Sequence, residues 1–330
     1  MSSPSTSAGV GLLPKPRTLA KQIHRNRKAQ LGVLSNLPRK WEDYVVQEMY
    51  RVTGSNQPFL ILDETLDSGE KIWGFMSPTC INIAKNCSHL FVDGTFEIVN
   101  KCLFTQLWII VGRSEPNNIT IPLGYFLLPD KTAASYRRVL RCLKELEVQG
   151  VTVFYCDFEQ GAIKAIMAEF PDSQIEGCDT HWKRALRTNM GRCGLLKHSD
   201  DDTTIQNWCR MLWCLSLVPT SDVLQVYTTH ILPLMPEVDE DAEQDDDDEA
   251  ADISRPLEDY IAYFERTWVG KLNPRTQKRG HPVFKLEHWN HYNAVMSDST
   301  ELTNKSESFN SQMRIILPIT PNKLAILKGM

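Results

Sequence analysis

The stretch Phe91-Val92-Asp93-Gly94-Thr95-Phe96 is the most informative in this chain of 330 residues, because an aspartate ends an apolar run and a glycine follows it at once. Desolvating an ionised carboxylate among such neighbours is costly unless the group is paired, hydrogen-bonded or bound to a cation. The pattern predicts a strand whose end carries Asp93 as a metal ligand. In isolation, Asp-Gly is more typical of a plain hairpin turn, so the interpretation depends on the residues that follow.

The residues after Asp93 predict two further strands and a helix. Residues 102–111 and 119–128 are apolar, β-branched and aromatic runs, and a turn-like segment separates them. Thr132 then opens a segment with apolar residues at helical spacing, and Gly150 lies just beyond it as a stop signal. We therefore expect an antiparallel meander followed by an amphipathic helix.

A second aspartate repeats the arrangement of the first. Residues 151–156 form an apolar run of strand length that ends at Asp157, and a helical pattern follows until Pro171. The order β-β-β-α-β-α, with acids at the ends of the first and fourth strands, is a ribonuclease H-like layout. The two carboxylates lie side by side if those two strands are neighbours in the sheet.

Five ordered motifs resemble the transposase of Mutator-like elements (MULE), a DDE-type DNA transposase. The motifs are residues 93–96, 122–131, 157–159, 178–181 and 303–310. The resemblance extends from about residue 60 to about residue 315. It implies an α/β fold in which a ribonuclease H-like mixed sheet core is interrupted by a helical insertion domain, with Glu307 as the last of three acids.

The resemblance implies a catalytic metal site made of Asp93, Asp157 and Glu307. Carboxylate oxygens are the ligands that Mg²⁺ or Mn²⁺ prefers, and two such ions can activate a nucleophile and neutralise a leaving oxygen. Asp93 would bridge the two ions, while the other two acids would hold one each. Glu307 also fits a helix cap in the pattern Asn304-x-x-Glu307, and Glu301 is the alternative ligand.

Cys178 and His181 belong to the fourth motif. We expect His181 to act in catalysis by facing the scissile phosphate or a flanking base, and Cys178 to pack beside the active centre. An alternative is a zinc site, since these two residues with Cys193 and His198 form Cys-x₂-His-x₁₁-Cys-x₄-His. Glu159, two residues past Asp157, is expected to point away from the metals and to form a salt bridge or lie on the surface.

Charge is distributed very unevenly along the chain. Residues 237–252 hold 11 acids and no base, so the remaining chain has 36 basic against 30 acidic residues, a net charge of +6 where the whole chain has −5. We interpret the acidic run as a solvated loop, with a DNA mimic or a histone contact as the alternative. Residues 14–30 are basic and suit nuclear import, phosphate contact or simply solubility.

The pattern divides the chain into five regions. Residues 1–40 are a flexible basic segment, 41–85 a mixed region before the core, and 86–185 the first part of the core. Residues 186–300 are a helical insertion with the acidic loop, and 301–330 are the last core helix and the C-terminal end. The sequence contains no run of about 18 apolar residues. Residues 1–9 lack the apolar segment of a signal peptide. The nine cysteines are scattered along the chain, as expected of reduced thiols. These observations predict a soluble protein with no membrane association.

DNA is the expected partner. Residues 268–291 mix basic and aromatic side chains, which suits contact with a DNA backbone and stacking on single strands; the alternative is a surface loop packed by its own tryptophans. The residues expected to contact DNA are Lys183, Arg184, Arg187, Lys271, Arg275, Lys278 and Arg279.

Two functions follow from these observations. The first is a nuclear DDE-type transposase that acts as a homo-oligomer on DNA and performs metal-dependent strand cleavage and strand transfer. The second is a domesticated DNA-binding or regulatory protein without catalysis. The intact set of Asp93, Asp157 and Glu307 favours the first function. Family members often carry a zinc-binding recognition module before the core and a SWIM-type module after it, and this sequence has neither pattern, which favours the second function.

Deletion of residues 237–252 is expected to leave the melting temperature within a few degrees of the wild type. Such an acidic segment cannot bury enough apolar surface to offset the entropy of ordering it. The deletion should also tighten nonspecific DNA binding at low salt, measured by fluorescence anisotropy. A deletion variant that fails to fold would make the segment structural and this interpretation wrong.

Overall fold

The computed structural model describes residues 45–96, 99, 103–114, 119–197, 203–236 and 254–296. Its helices and strands, in chain order, are α1 (Glu48–Arg51), β1 (Leu60–Thr65), β2 (Lys71–Phe75), α2 (Pro78–Lys85), β3 (His89–Thr95), β4 (Gln106–Ser114), β5 (Ile119–Leu128), α3 (Ala133–Glu145), β6 (Val153–Cys156), α4 (Gln160–Glu169), β7 (Gln174–Gly177), α5 (Asp179–Arg192), α6 (Thr203–Cys214), α7 (Val223–Val226), α8 (Ser254–Phe264), β8 (Leu272–Asn273), β9 (Lys278–Arg279), α9 (Leu286–Trp289) and α10 (Tyr292–Met296). In this part of the chain no helix combines the length and the apolar character needed to cross a membrane.

A mixed sheet of seven strands organises the fold. Its order is β1-β2-β5-β4-β3-β6-β7. The strands β3, β4 and β5 form the antiparallel meander that the sequence predicts, although β4 begins at Gln106 and not at residue 102. The strands β6 and β7 continue the sheet in parallel from β3. Parallel strands need crossover connections, and here α4 makes the connection from β6 to β7.

Three strands of the sheet were not predicted. The hairpin of β1 and β2 pairs with β5, with Trp73 opposite Leu127, so the sheet begins well before residue 86. Asp63 of β1 accepts a hydrogen bond from the Trp73 indole at 3.0 Å, which ties the two strands together across the edge. The third strand, β7, has only four residues and one buried large apolar side chain, Ile175. Its sequence therefore shows no clear alternation of apolar and polar residues that would predict a strand.

Both faces of the sheet are buried, by different partners. Val92 of β3 and Cys156 of β6 belong to the larger core cluster, which includes the buried side of α3 and α4. Phe91 and the partly buried Tyr155, one residue earlier on each strand, belong to the cluster on the opposite face. Successive side chains of a strand point to opposite faces. Neighbouring residues of β3 and β6 therefore belong to different core clusters.

The helix α3 confirms the periodicity argument. Thr132 is its N-cap and accepts a hydrogen bond from the backbone N–H of Ser135 at 3.3 Å, the interaction expected of a threonine cap. Tyr136, Val139 and Leu140 lie on its fully buried side. The helix therefore has the apolar face that its spacing predicts.

An aromatic cluster joins the helical region to the sheet. Trp182 of α5 stacks on Trp289 with ring centroids 5.0 Å apart, and the Trp289 indole donates to the carbonyl of Trp268 at 3.1 Å. Trp268 and Trp289 are 1% and 0% exposed. The expectation that aromatic side chains of residues 268–291 stack on single-stranded DNA is therefore wrong for both tryptophans. These rings fill the core, as the alternative interpretation of that segment has it.

Gly177→Ala is expected to destabilise the fold by roughly 1–3 kcal/mol, since overpacking a tight contact has that cost. A methyl group at this position would lie 2.2 Å from Cζ of Phe158 and 2.6 Å from the carbonyl oxygen of His288. Urea unfolding measures the effect. Gly150→Ala is the matched control, because nothing lies within 4 Å of its added methyl group. Equal stability of the two variants would contradict the described packing of α9 against β7.

Candidate active site

The pairing of β3 with β6 brings Asp93 and Asp157 together. The two strands are parallel neighbours, and Val92 pairs with Cys156. Asp93 and Asp157 are the next residue of each segment, and the alternation of side chains places both on the face occupied by Phe91 and Tyr155. The rings of that preceding pair stack with centroids 4.5 Å apart and planes at 12°. The adjacency that the two-acid argument requires is therefore present.

The two carboxyl groups are in hydrogen-bonding contact, which two ionised carboxylates do not make without a shared proton or a cation. Burial first, and the charge of Asp157 second, raise the pKa of Asp93 to about 7. The charge of His181 and a hydrogen bond from the backbone of Gly94 act against this rise. Like charges in a partly desolvated place disfavour double ionisation. At neutral pH, additional positive charge beside the two carboxyl groups would therefore be needed for both to be ionised.

His181 supplies part of that positive charge from the first turn of α5. Its Nδ1 lies 2.8 Å from Oδ1 of Asp157. The ring N–H is not aligned with the carboxylate, and Nδ1 lacks a hydrogen bond of good geometry, so the contact is mainly one between charges. Burial lowers the pKa of His181, but contacts with Asp157 and Cys178 outweigh it and raise this pKa to about 10. The imidazole is thus an imidazolium at neutral pH.

Cys178 and Cys193 bear on the zinc alternative. Cys178 is buried at the N-cap of α5, in contact with His181, whereas Cys193 is the C-cap of the same helix. A helix of 14 residues is about 20 Å long at 1.5 Å per residue, whereas a Zn–S bond is about 2.3 Å. One zinc ion cannot bind both cysteines, so the four-ligand site is wrong. His198 lies outside the described residues.

Glu159 faces the other side of the sheet edge, as expected from its position. Its carboxylate forms a salt bridge with Lys131 at 3.4 Å and accepts a hydrogen bond from the hydroxyl of Tyr136. Tyr136 in turn accepts from the side chain of Gln106, and both of these residues are fully buried. Sequence reasoning missed this polar network, although Lys131 ends one of the five motifs.

The residues present fit a hard divalent cation. Asp93 and Asp157 converge at a strand edge and offer carboxylate oxygens, the donors that Mg²⁺ and Mn²⁺ prefer. Glu307 and its alternative Glu301 lie outside the described residues. Within the described ranges, no group of three His, Cys, Asp or Glu side chains is arranged to hold a metal ion. The two aspartates would therefore form two thirds of the expected ligand set.

The segment that contains both aspartates and His181 matches a known family. Residues 89–184 match the family model of the MULE transposase domain. This segment, about 29% of the chain, is therefore similar to a MULE transposase domain. The match confirms the resemblance drawn from the motifs and indicates a MULE-type transposase or a protein derived from one. No curated protein matches the chain.

The basic residues expected to contact DNA have different surroundings. Within the MULE transposase domain, Arg184 is exposed on α5, and Lys183 is exposed but pairs with Asp179 at 2.6 Å. Arg187, one turn beyond Lys183, is exposed just past the matched segment.

The remaining four basic residues lie on or beside the hairpin of β8 and β9. Lys271, Arg275 and Lys278 are exposed there. Arg279 instead forms an ion pair with Glu265 at 2.9 Å, and only 12% of its side chain is exposed. It also donates to the carbonyl of Gly270 at 2.7 Å. The structure therefore gives Arg279 partners within the fold, and its contact with DNA stays a prediction.

Asp93→Asn is expected to stabilise the metal-free protein at pH 8 and to have little effect below pH 4. The pKa of this carboxyl rises from 3.8 to about 7 on folding, so the folded state holds a proton that the unfolded state has released between these values. Wild-type stability therefore falls as pH rises from about 4 to about 7, and the amide removes this loss. A pKa difference of one corresponds to about 1.4 kcal/mol. Relaxation around the carboxyl pair reduces the energy that the full pKa shift would give. We therefore expect Asp93→Asn to raise the free energy of unfolding at pH 8 by an amount on the order of 2 kcal/mol.

Thermal unfolding in the presence of EDTA, at several pH values, measures this gain. Asp172→Asn is the matched control, because Asp172 is an exposed turn residue. A pH-independent difference between Asp93→Asn and the wild type would contradict the electrostatic account of the carboxyl pair.

Proposed function

We propose that this chain is the catalytic part of a DDE-type DNA transposase, which cleaves DNA strands and transfers them in a metal-dependent reaction. The observation that carries the proposal is the meeting of Asp93 and Asp157 on one face of the sheet, within the residues that match the MULE transposase domain. Glu307 is the proposed third acid.

The proposed architecture is a ribonuclease H-like core with a helical insertion. The order β5-β4-β3-β6-β7, with an antiparallel meander followed by two parallel strands, supports the core. The helices from α6 to α10 lie between that core and residue 307, which supports the insertion. In this arrangement the last acid reaches the sheet only after the insertion.

The chain's own residues have separate roles in the proposed reaction. Asp93, Asp157 and Glu307 would hold Mg²⁺ or Mn²⁺, which when bound supplies charge neutralisation and activates water or a 3′-hydroxyl. His181 holds a proton beside Asp157. From that position the imidazolium can donate a hydrogen bond to a phosphate oxygen and orient the strand. Cys178 fixes the ring from the buried side.

The proposed DNA surface consists of the exposed basic residues of α5 and of the β8–β9 hairpin. Its five residues are Arg184, Arg187, Lys271, Arg275 and Lys278. Lys183 contributes less, because Asp179 partly neutralises it. Cationic side chains contribute to DNA affinity by neutralising phosphates and releasing counterions. Action as a homo-oligomer on DNA and residence in the nucleus complete the proposal.

Wild-type protein with Mn²⁺ or Mg²⁺ and DNA that bears the cognate ends is expected to nick or join strands. Asp93→Asn and Glu307→Gln should abolish the reaction, because each exchange removes a ligand charge at nearly constant volume. Isothermal titration of Mn²⁺ into the same proteins measures the site without requiring the cognate DNA. Asp172→Asn is again the control and should bind Mn²⁺ as the wild type does.

Equal Mn²⁺ binding by the wild type and by Asp93→Asn would show that these acids are not a metal site. DNA binding without metal binding or cleavage would instead support the domesticated, non-catalytic alternative.

A further inference from the structure

An exposed aromatic ring lies at the same end of β3 as Asp93, beside Gly94 on the opposite face of the sheet. Phe96 follows Asp93 by three residues, which is no more than about 10 Å of extended chain, and 39% of its surface is exposed. The ring folds back along its own strand, with Cζ 3.5 Å from the position that a Cβ of Gly94 would occupy. A single exposed apolar side chain is ordinary on a protein surface. Whether this ring has a function therefore depends on the residues around it.

A lysine ammonium group is held over this ring. Nζ of Lys131 lies 3.7 Å from the ring centroid of Phe96 and 3.4 Å from the carboxylate of Glu159. The backbone of Lys131 packs closely against α4, since its carbonyl oxygen lies 2.3 Å from the place where Gly161 would carry a Cβ. The side chain remains 42% exposed. The ammonium is thus fixed in place and still open to a ligand.

The carboxylate that holds Lys131 is itself held from the core. Tyr136 donates to Glu159, and Gln106 donates to Tyr136 and to the carbonyl of Asp130. Gln106 reaches its partners because Gly94 has no side chain; a Cβ there would lie 2.4 Å from Oε1 of Gln106. The hydrogen bonds of this buried network, made by Nε2 of Gln106 while its Oε1 has no partner, restrict the side chains that take part. The network positions one cation and one aromatic ring at the strand end that carries Asp93.

We propose that Phe96 and Lys131 form a subsite for an unpaired nucleotide of the DNA strand at the active site. The base stacks on the exposed part of the Phe96 ring, and the Lys131 ammonium contacts an adjacent phosphate. Bases inside a duplex are already stacked on their neighbours, so an aromatic side chain of this kind selects unpaired nucleotides. At about 3.4 Å per nucleotide step, the distance from Asp93 places the subsite within about three nucleotides of the reacting phosphate. The inference rests on the proposed function.

Binding of two DNA probes in EDTA tests the subsite without requiring chemistry. One probe is a blunt duplex, and the other is the same duplex with a single-stranded tail that carries 2-aminopurine at its first unpaired position. Tails of both polarities are used. The wild type should bind the tailed probe more tightly and quench the 2-aminopurine fluorescence, because the base stacks on the ring.

Phe96→Ala and Phe96→Leu should lose about fivefold or more in affinity for the tailed probe, since base–aromatic stacking contributes that much or more, with no change for the blunt probe. Phe96→Trp should retain both the affinity and the quenching. Lys131→Ala should weaken binding of the tailed probe and reduce its salt dependence by about one phosphate contact, while Lys131→Arg retains it. Met167→Ala and Lys164→Ala, both exposed positions on α4, are the matched controls for apolar surface and for charge.

Retention of the wild-type tail preference by Phe96→Leu, or a wild type without tail preference, would overturn the subsite. Phe96→Leu keeps an apolar contact beside Gly94. If Phe96→Ala does not fold, the affinity of Phe96→Leu for the tailed probe tests the subsite. The subsite and the proposed function can fail separately. Loss of stacking in the Phe96 variants together with an inactive wild type refutes catalysis alone, whereas strand cleavage by a wild type without tail preference refutes the subsite alone.

Discussion

The parallel pairing of β3 with β6 is the constraint on which the candidate site depends. The register of Val92 opposite Cys156 fixes the next two residues, Asp93 and Asp157, on the same face. A slip of one residue would send one carboxylate to the opposite face, because side chains alternate with a period of two. Burial of Phe91 and Val92 on either side of the strand opposes such a slip. The hydrophobic core thus holds together two like charges that would separate in water.

The helical region serves the same site through its aromatic cluster. Trp182, the residue after His181, is fully buried and stacks on Trp289, so the first turn of α5 is anchored beside β7. The imidazolium is therefore held against Asp157 by packing that begins more than a hundred residues later in the chain. Cys178, at the N-cap, donates its backbone N–H to the carbonyl of Cys156 at the end of β6, at 3.1 Å.

The parts of the fold that follow long periodic patterns could be predicted from the sequence. The strand β5, the helix α3 and the place of Asp157 directly after β6 are of this kind. Asp93 was expected to end its strand, but β3 continues through Gly94 to Thr95, because β4 pairs with both residues. Short elements such as β7 could not be predicted, because four residues carry too little alternation. The tryptophans were misassigned for another reason: neighbouring basic residues make an aromatic segment resemble a stacking surface, and only tertiary contacts show that Trp268 and Trp289 are core. The zinc pattern failed similarly, since a helix of 14 residues separates its two cysteines in space.

In the proposed function, the charges at the sheet edge give a metal ion and a nucleic acid separate places. Asp93, Asp157 and Glu159 lie there with two cations, His181 on the carboxylate face and Lys131 on the other. His181 already offsets part of the negative charge on the carboxylate face, and divalent cations bound there would make that face positive. On the other face Glu159 is already matched by Lys131, so no metal is needed there. Under the proposed function, a DNA strand crossing the edge would therefore meet positive charge on both sides, and cleavage would be confined to the side where the metal ions bind.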